Sequence, residues 1–189
     1  MLKPKNYDTI QGYTSFNPLP PGGYVCQIKK IEKTTSKSGT AMLNIYLDIH
    51  EGEYMGYYEH NYRSNTRENK RWGCIVYQTI YDQHNHCNRG LKTFCEAVEA
   101  SNNGFNVEES WGEKFCDNYK GQLIGGVFRR EQYLNKNDEE KWVTRCFAFR
   151  KVEDIYNGIE VPNDKFLDNS YAPANTFKEL GLDDTTLPF

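Results

Sequence analysis

The sequence predicts a mainly β domain with helical insertions, a five-stranded barrel in the order β-β-β-α-β-β, followed by a flexible acidic tail. Three observations carry this. Residues 41–49 alternate strictly, with Leu43, Ile45, Leu47 and Ile49 between Met42, Asn44, Tyr46 and Asp48, the mark of a half-buried antiparallel strand. Two β-rich stretches, 121–133 and 141–152, flank Asn135-Lys136-Asn137-Asp138, a hairpin turn. Between these regions Leu91, Phe94, Cys95 and Val98 repeat at i, i+3, i+4, i+7, the stripe of an amphipathic helix.

The remaining elements follow in chain order. Residues 1–21 form an irregular lead-in, polar and closed by Pro18, Pro20 and Pro21 ahead of Gly22-Gly23. The domain proper spans 22–157. Tyr24 to Thr34 alternates as a first strand, and Ser36-Lys37-Ser38-Gly39 turns it into the second. Glu51-Gly52-Glu53 starts another turn, and Gly56 to Arg63 reads as a third strand, completing a meander. In the less regular stretch to His86, Ile75, Val76 and Ile80 suggest a helical turn or two. Asn102-Asn103-Gly104 ends the main helix, which runs over 88–100, and 108–118 adds a short one around Trp111 and Phe115. Residues 158–189 show no sustained period and read as the tail. The strand and helix order is that of the oligonucleotide-binding barrel, a five-stranded Greek key.

Charge divides along the chain. Residues 1–150 carry 20 Lys and Arg against 18 Asp and Glu, a balance of +2, while residues 151–189 carry 3 against 8, a balance of −5. A near-neutral body does not look like a strongly basic, non-specific duplex binder. Local basic clusters can still track a phosphate backbone. The 14 Tyr are too many to bury comfortably, since each hydroxyl wants a partner or water, and a Tyr-rich surface suits base stacking. No stretch reaches the ~18 consecutive apolar residues of a membrane helix. No apolar run follows the first lysines as in a signal peptide, so the six scattered cysteines read as reduced thiols in the cytoplasm.

Basic and aromatic side chains interleave on the body. Tyr46, Arg63, Lys70, Arg71, Trp72, Arg129, Tyr133, Trp142, Arg145 and Arg150 are the candidate nucleic-acid contacts, with Tyr58, Tyr62 and Arg130 beside them. Stacking is worth about 1–3 kcal/mol per base whatever the sequence, so Tyr and Trp with nearby Arg would hold single strands generically. Tyr46 and Trp142 stand out, one on the polar side of the second strand and the other beside the last hairpin.

The tail ends Asp183-Asp184-Thr185-Thr186-Leu187-Pro188-Phe189 and resembles the acidic Leu-Pro-Phe or Ile-Pro-Phe tip of bacterial single-stranded DNA-binding proteins. Here two Thr separate the acids from Leu187. A docking peptide of this kind uses Phe189 and Leu187 for an apolar pocket, Pro188 to limit the entropy lost, and Asp183 and Asp184 for steering. The body, over roughly 20–160, resembles a phage and integrative-element family of single-stranded DNA-binding proteins. The likeness lies in Pro21-Gly22-Gly23-Tyr24, residues 35–39 (Thr-Ser-Lys-Ser-Gly) before Leu43 to Ile49, Leu91 to Cys95, and Leu123 to Phe128. It implies a barrel fold, single-stranded DNA as partner, and a role in replication or recombination with host or phage proteins recruited by the tip. DNA against RNA stays open, as does homo-oligomerisation.

Signals for catalysis are thin: there is no phosphate-cradling Gly-Lys-Ser/Thr loop, Gly-x-Ser-x-Gly elbow or HExxH. The expectation is a protein without catalysis, metal or cofactor. Asp48, Glu51 and Glu53 suggest a solvated turn ahead of a metal-dependent nuclease cluster, and His84-Asn85-His86-Cys87 a polar loop ahead of a zinc site. A protein-interaction or virion-assembly module is the alternative from another class.

Overall fold

Alternation builds the sheet as expected over most of its length. The structure is a computed structural model that describes Lys3 and residues 18–167. β1 (Gly22–Thr35), β2 (Ala41–Ile49), β4 (Leu123–Leu134) and β5 (Glu140–Arg150) occupy the four stretches read as strands. β2 buries Leu43, Ile45 and Leu47 and turns Met42, Asn44 and Tyr46 outward. A bulge in β1 between Ile28 and Lys30, and another in β5 at Phe147, opposite the step from Val127 to Phe128, bend the sheet around its own core.

Two elements depart from the expectation. Residues 57–64, read as a strand, are helical (α1, Tyr57–Ser64). The cause lies ten residues earlier. Asp48 is 3% exposed, and its carboxylate accepts the N–H groups of Tyr58 and Glu59 in the first turn. A side chain from β2 thus caps a helix that follows Gly56, whose left-handed φ of 71° turns the chain into it. Asp48 is therefore no part of a solvated acidic turn. The third strand is instead β3 (Ile75–Thr79), where helical turns were expected. It pairs antiparallel with the outer edge of β2, Ile45 opposite Val76 and Tyr46 opposite Ile75.

The helices are α2 (Arg89–Ser101), α3 (Val107–Ser110), α4 (Phe115–Asn118) and α5 (Val152–Tyr156). Asn88 caps α2 by accepting the N–H of Gly90 at 2.8 Å. The stripe Leu91, Phe94, Cys95 and Val98 is buried against the strands' Ile28, Leu43, Ile45, Ile124 and Phe128. Asn102 then ties the end of α2 to β4, exchanging two 2.8 Å bonds with the backbone of Leu123. At Gly126 a Cβ would meet the Phe128 ring at 2.8 Å and Cys26 Sγ at 3.0 Å, so only glycine lets β4 pack there.

All neighbouring strands are antiparallel, in the order β3-β2-β1-β4-β5. Four antiparallel steps leave β3 and β5 running the same way. Among the described residues no ladder joins them, so the sheet is not closed. β4 outruns β1, and residues 164–166 lie along that free stretch: Lys165 N–H donates to Arg130 O, and Gln132 N–H to Lys165 O, both at 2.8 Å. No helix among the described residues is long and apolar enough to cross a membrane. Asp183, Asp184, Leu187, Pro188 and Phe189 lie outside the described residues.

Candidate nucleic-acid interface

The unjoined edges of β3 and β5 bound a cleft of about 320 Å³. Its position follows from the strand alternation. Because Ile45 and Val76 point inward, Ile75 and Tyr77 point outward, beside Tyr46 and Asn44 on β2. Across the cleft stand Val143, Arg145 and Phe147 of β5, with Glu131 of β4. Tyr77 and Phe147 are 41% and 42% exposed, large apolar rings left open to solvent on either side of one opening.

The charges here are organised. Arg129 and Arg145 are directly paired across β4 and β5, an arrangement that like charges make unfavourable. Glu131 relieves it. Its Oε1 accepts from Arg129 Nε at 2.9 Å and lies 2.8 Å from Nη2, and its Oε2 stands 4.0 Å from Arg145 Nε. The Arg129 guanidinium also lies 4.4 Å from the centre of the Phe147 ring. Burial pushes the Arg145 guanidinium below its ordinary value, with Glu131, Tyr133 and Tyr77 opposing. An arginine stays charged through such a shift. Burial raises the Tyr77 phenol, and the nearby charges of Arg71 and Arg145 work against that rise.

Tyr46 extends the surface along β2. Its hydroxyl donates to Glu32 Oε2 at 2.6 Å, and Lys30 Nζ lies 5.6 Å from its ring centre. Burial first, and the Glu32 carboxylate next, push its phenol up to about 12. The ring is thus held at its edge by a carboxylate.

Of the sequence candidates, the structure brings Tyr46, Arg71, Arg129, Tyr133 and Arg145 around this cleft. Others lie elsewhere. Trp72 is half-buried against the core, and its indole N–H donates to Leu47 O at 2.7 Å. Lys70 sits 4.7 Å over Tyr62, which leans on Trp72 with ring centres 5.5 Å apart. Arg63 pairs with Glu59 at the end of α1, and Arg150 ends β5, donating to Phe149 O at 2.9 Å. Trp142 faces the opposite side of the hairpin, where Phe166 meets it edge-on at 5.3 Å. Arg130, 4.9 Å from the Trp142 ring, is clasped by Asp164 through two nitrogens.

Sequence reasoning missed Tyr77, Phe147 and Glu131. Reading 75–79 as a strand would have found Tyr77, because period two places it beside Ile75. Phe147 is the extra residue of the β5 bulge, so alternation could not place it. Among the described residues no group of three or more His, Cys, Asp or Glu is placed to hold a metal ion.

No curated protein matches the chain. One family model does, over residues 5–118, a stretch that carries Tyr46, Arg71 and Tyr77 and stops short of β4 and β5. By that match the chain belongs to the family described as "Protein of unknown function (DUF669)".

Proposed function

We propose that the chain binds single-stranded nucleic acid, DNA in the first instance, over the outward face of β2 and β3 and into the cleft beside β5. The observation that carries this is the placement of Tyr77 and Phe147 at one opening with Arg71, Arg129 and Arg145 around it. Exposed rings stack bases of any identity, and the guanidiniums meet the phosphates between them. Duplex DNA hides its base faces, so this surface discriminates against it. The strand order supports an oligonucleotide-binding barrel whose last seam, β3 against β5, is left open; such folds bind through strands 2 and 3. In this reading the acidic segment with Asp183, Asp184, Leu187, Pro188 and Phe189 recruits replication or recombination proteins of a phage or mobile element.

Fluorescence titration with oligo-dT and with a matched duplex tests it. Binding to oligo-dT that is stronger than to the duplex and weakens steeply with salt is the expected result. Equal affinity for both, or none for the single strand, overturns the proposal.

A further inference from the structure

The β4–β5 ribbon carries arginine and aromatic side chains on both of its faces. Alternation puts Glu131, Val143 and Arg145 on the cleft side and Arg130, Gln132 and Trp142 on the other. The second set is covered by the chain's own residues 164–167. Asp164 clasps Arg130 through Nε and Nη2, the two-nitrogen fork that a phosphate also takes. Phe166 sets its ring edge-on to Trp142, with 5.3 Å between centres, and the Arg130 guanidinium lies 4.9 Å from the Trp142 ring. A carboxylate and a ring two residues apart thus occupy an arginine and a tryptophan, the pair of groups that would hold a nucleotide's phosphate and base.

The cover is shallow. Lys165 makes two 2.8 Å backbone bonds to β4, and Leu167 N–H reaches Gln132 Oε1 at 3.2 Å. The Arg130–Asp164 pair lies at the surface, where such pairs add little. Phe166 is 67% exposed and Trp142 40%, so neither ring is committed to the core.

We propose that Arg130 and Trp142 form a second nucleotide subsite, which Asp164 and Phe166 close in the free protein and a long single strand opens. This rests on the single-strand reading above and extends it from the cleft around the outer edge of β5, the last strand of the sheet. A strand already held in the cleft presents its next nucleotides at high effective concentration, whereas a short one does not reach the far face. There a phosphate replaces the Asp164 carboxylate on the guanidinium, and a base replaces the Phe166 ring against the indole.

Asp164→Asn/Phe166→Ala removes the cover while changing only surface side chains. Its affinity is compared with that of the native protein for oligo-dT of about 6 and about 16 nucleotides, lengths within the range of site sizes for one such fold. The longer strand should bind the variant about five-fold more tightly, as for a subsite closed in about four of five native molecules, and the shorter one equally. Phe166→Ala alone should move affinity for the longer strand in the same direction. Adding Trp142→Ala to the double variant should abolish the gain, which a general loss of negative charge would leave in place. No gain for the longer strand, an equal gain for the shorter, or a gain that survives Trp142→Ala overturns the second subsite and leaves cleft binding standing. Failure of the native protein and the variants to bind either strand overturns both.

Discussion

Asp48 Oδ1 accepts the backbone N–H of Tyr58 at 2.9 Å, joining the end of β2 to the first turn of α1. The same carboxylate takes the N–H of Ile49 at 2.9 Å and that of Glu59 at 3.1 Å. Replacing Asp48 with Ala leaves these donors without their acceptor, two of them at a helix start that has no side-chain cap of its own. Asp48→Ala should cost roughly 2–4 kcal/mol of stability, measured by urea unfolding. A loss below about 0.5 kcal/mol would mean that α1 does not depend on this cap.

The same residue sets a pH dependence. Burial raises the Asp48 pKa above its ordinary 3.8, and the three backbone donors only partly offset this. Between 3.8 and the raised value the folded protein holds a proton that the unfolded chain has lost. Asp48's contribution is thus full below 3.8 and declines as pH rises through the raised folded value. The stability of the native protein minus that of Asp48→Asn should fall as pH rises from 3 to 6, by thermal unfolding of both. A difference that rises over that range contradicts the assignment.

Trp72 separates structure from binding. Its indole N–H holds Leu47 O just before the chain enters β3, and its ring packs on the core. Trp72→Phe should lose about 0.5–1.5 kcal/mol from that bond and leave oligonucleotide affinity unchanged. A clear drop in affinity without loss of stability would place Trp72 in the interface instead.

The cysteines offer a check on the core. Cys26, Cys74 and Cys95 are buried, burial pushes the Cys26 and Cys74 thiols well above 9.0, and it pushes that of Cys146 up to about 12. Cys87 is exposed. Since the thiolate is the reactive form, a thiol reagent should modify Cys87 quickly and these four only as the protein unfolds. Peptide mapping after brief labelling reads this directly. Early labelling of Cys26 or Cys74 would contradict the packing.

Much of the fold was legible because its signals are local. Leu43, Ile45 and Leu47 alternate without interruption, and Leu91 to Val98 keep one helical stripe. The two errors arose where a tertiary partner decides. Tyr57 to Arg63 has no apolar period strong enough to choose a state, and the choice is made by Asp48, which no window around residue 60 contains. Ile75, Val76 and Ile80 share a spacing that a helix could use, but the open edge of β2 pulls this segment into the sheet. The candidate site divides the same way. Tyr46 was found because β2 alternates cleanly, whereas Tyr77 was hidden by the wrong state of its own segment. Trp72 and Trp142 drew notice as large rings, yet one is held by a backbone carbonyl and the other is met by Phe166.

The central claim is that the β3–β5 opening carries single-stranded nucleic acid. The affinity of Tyr77→Ala/Arg145→Ala for oligo-dT, measured beside the native protein at one salt concentration, tests it most directly. Loss of one stacking ring and one phosphate contact should weaken binding by about ten-fold or more, with the thermal unfolding transition still cooperative. Unchanged affinity in a folded double variant would contradict the account and move the binding surface elsewhere on the protein.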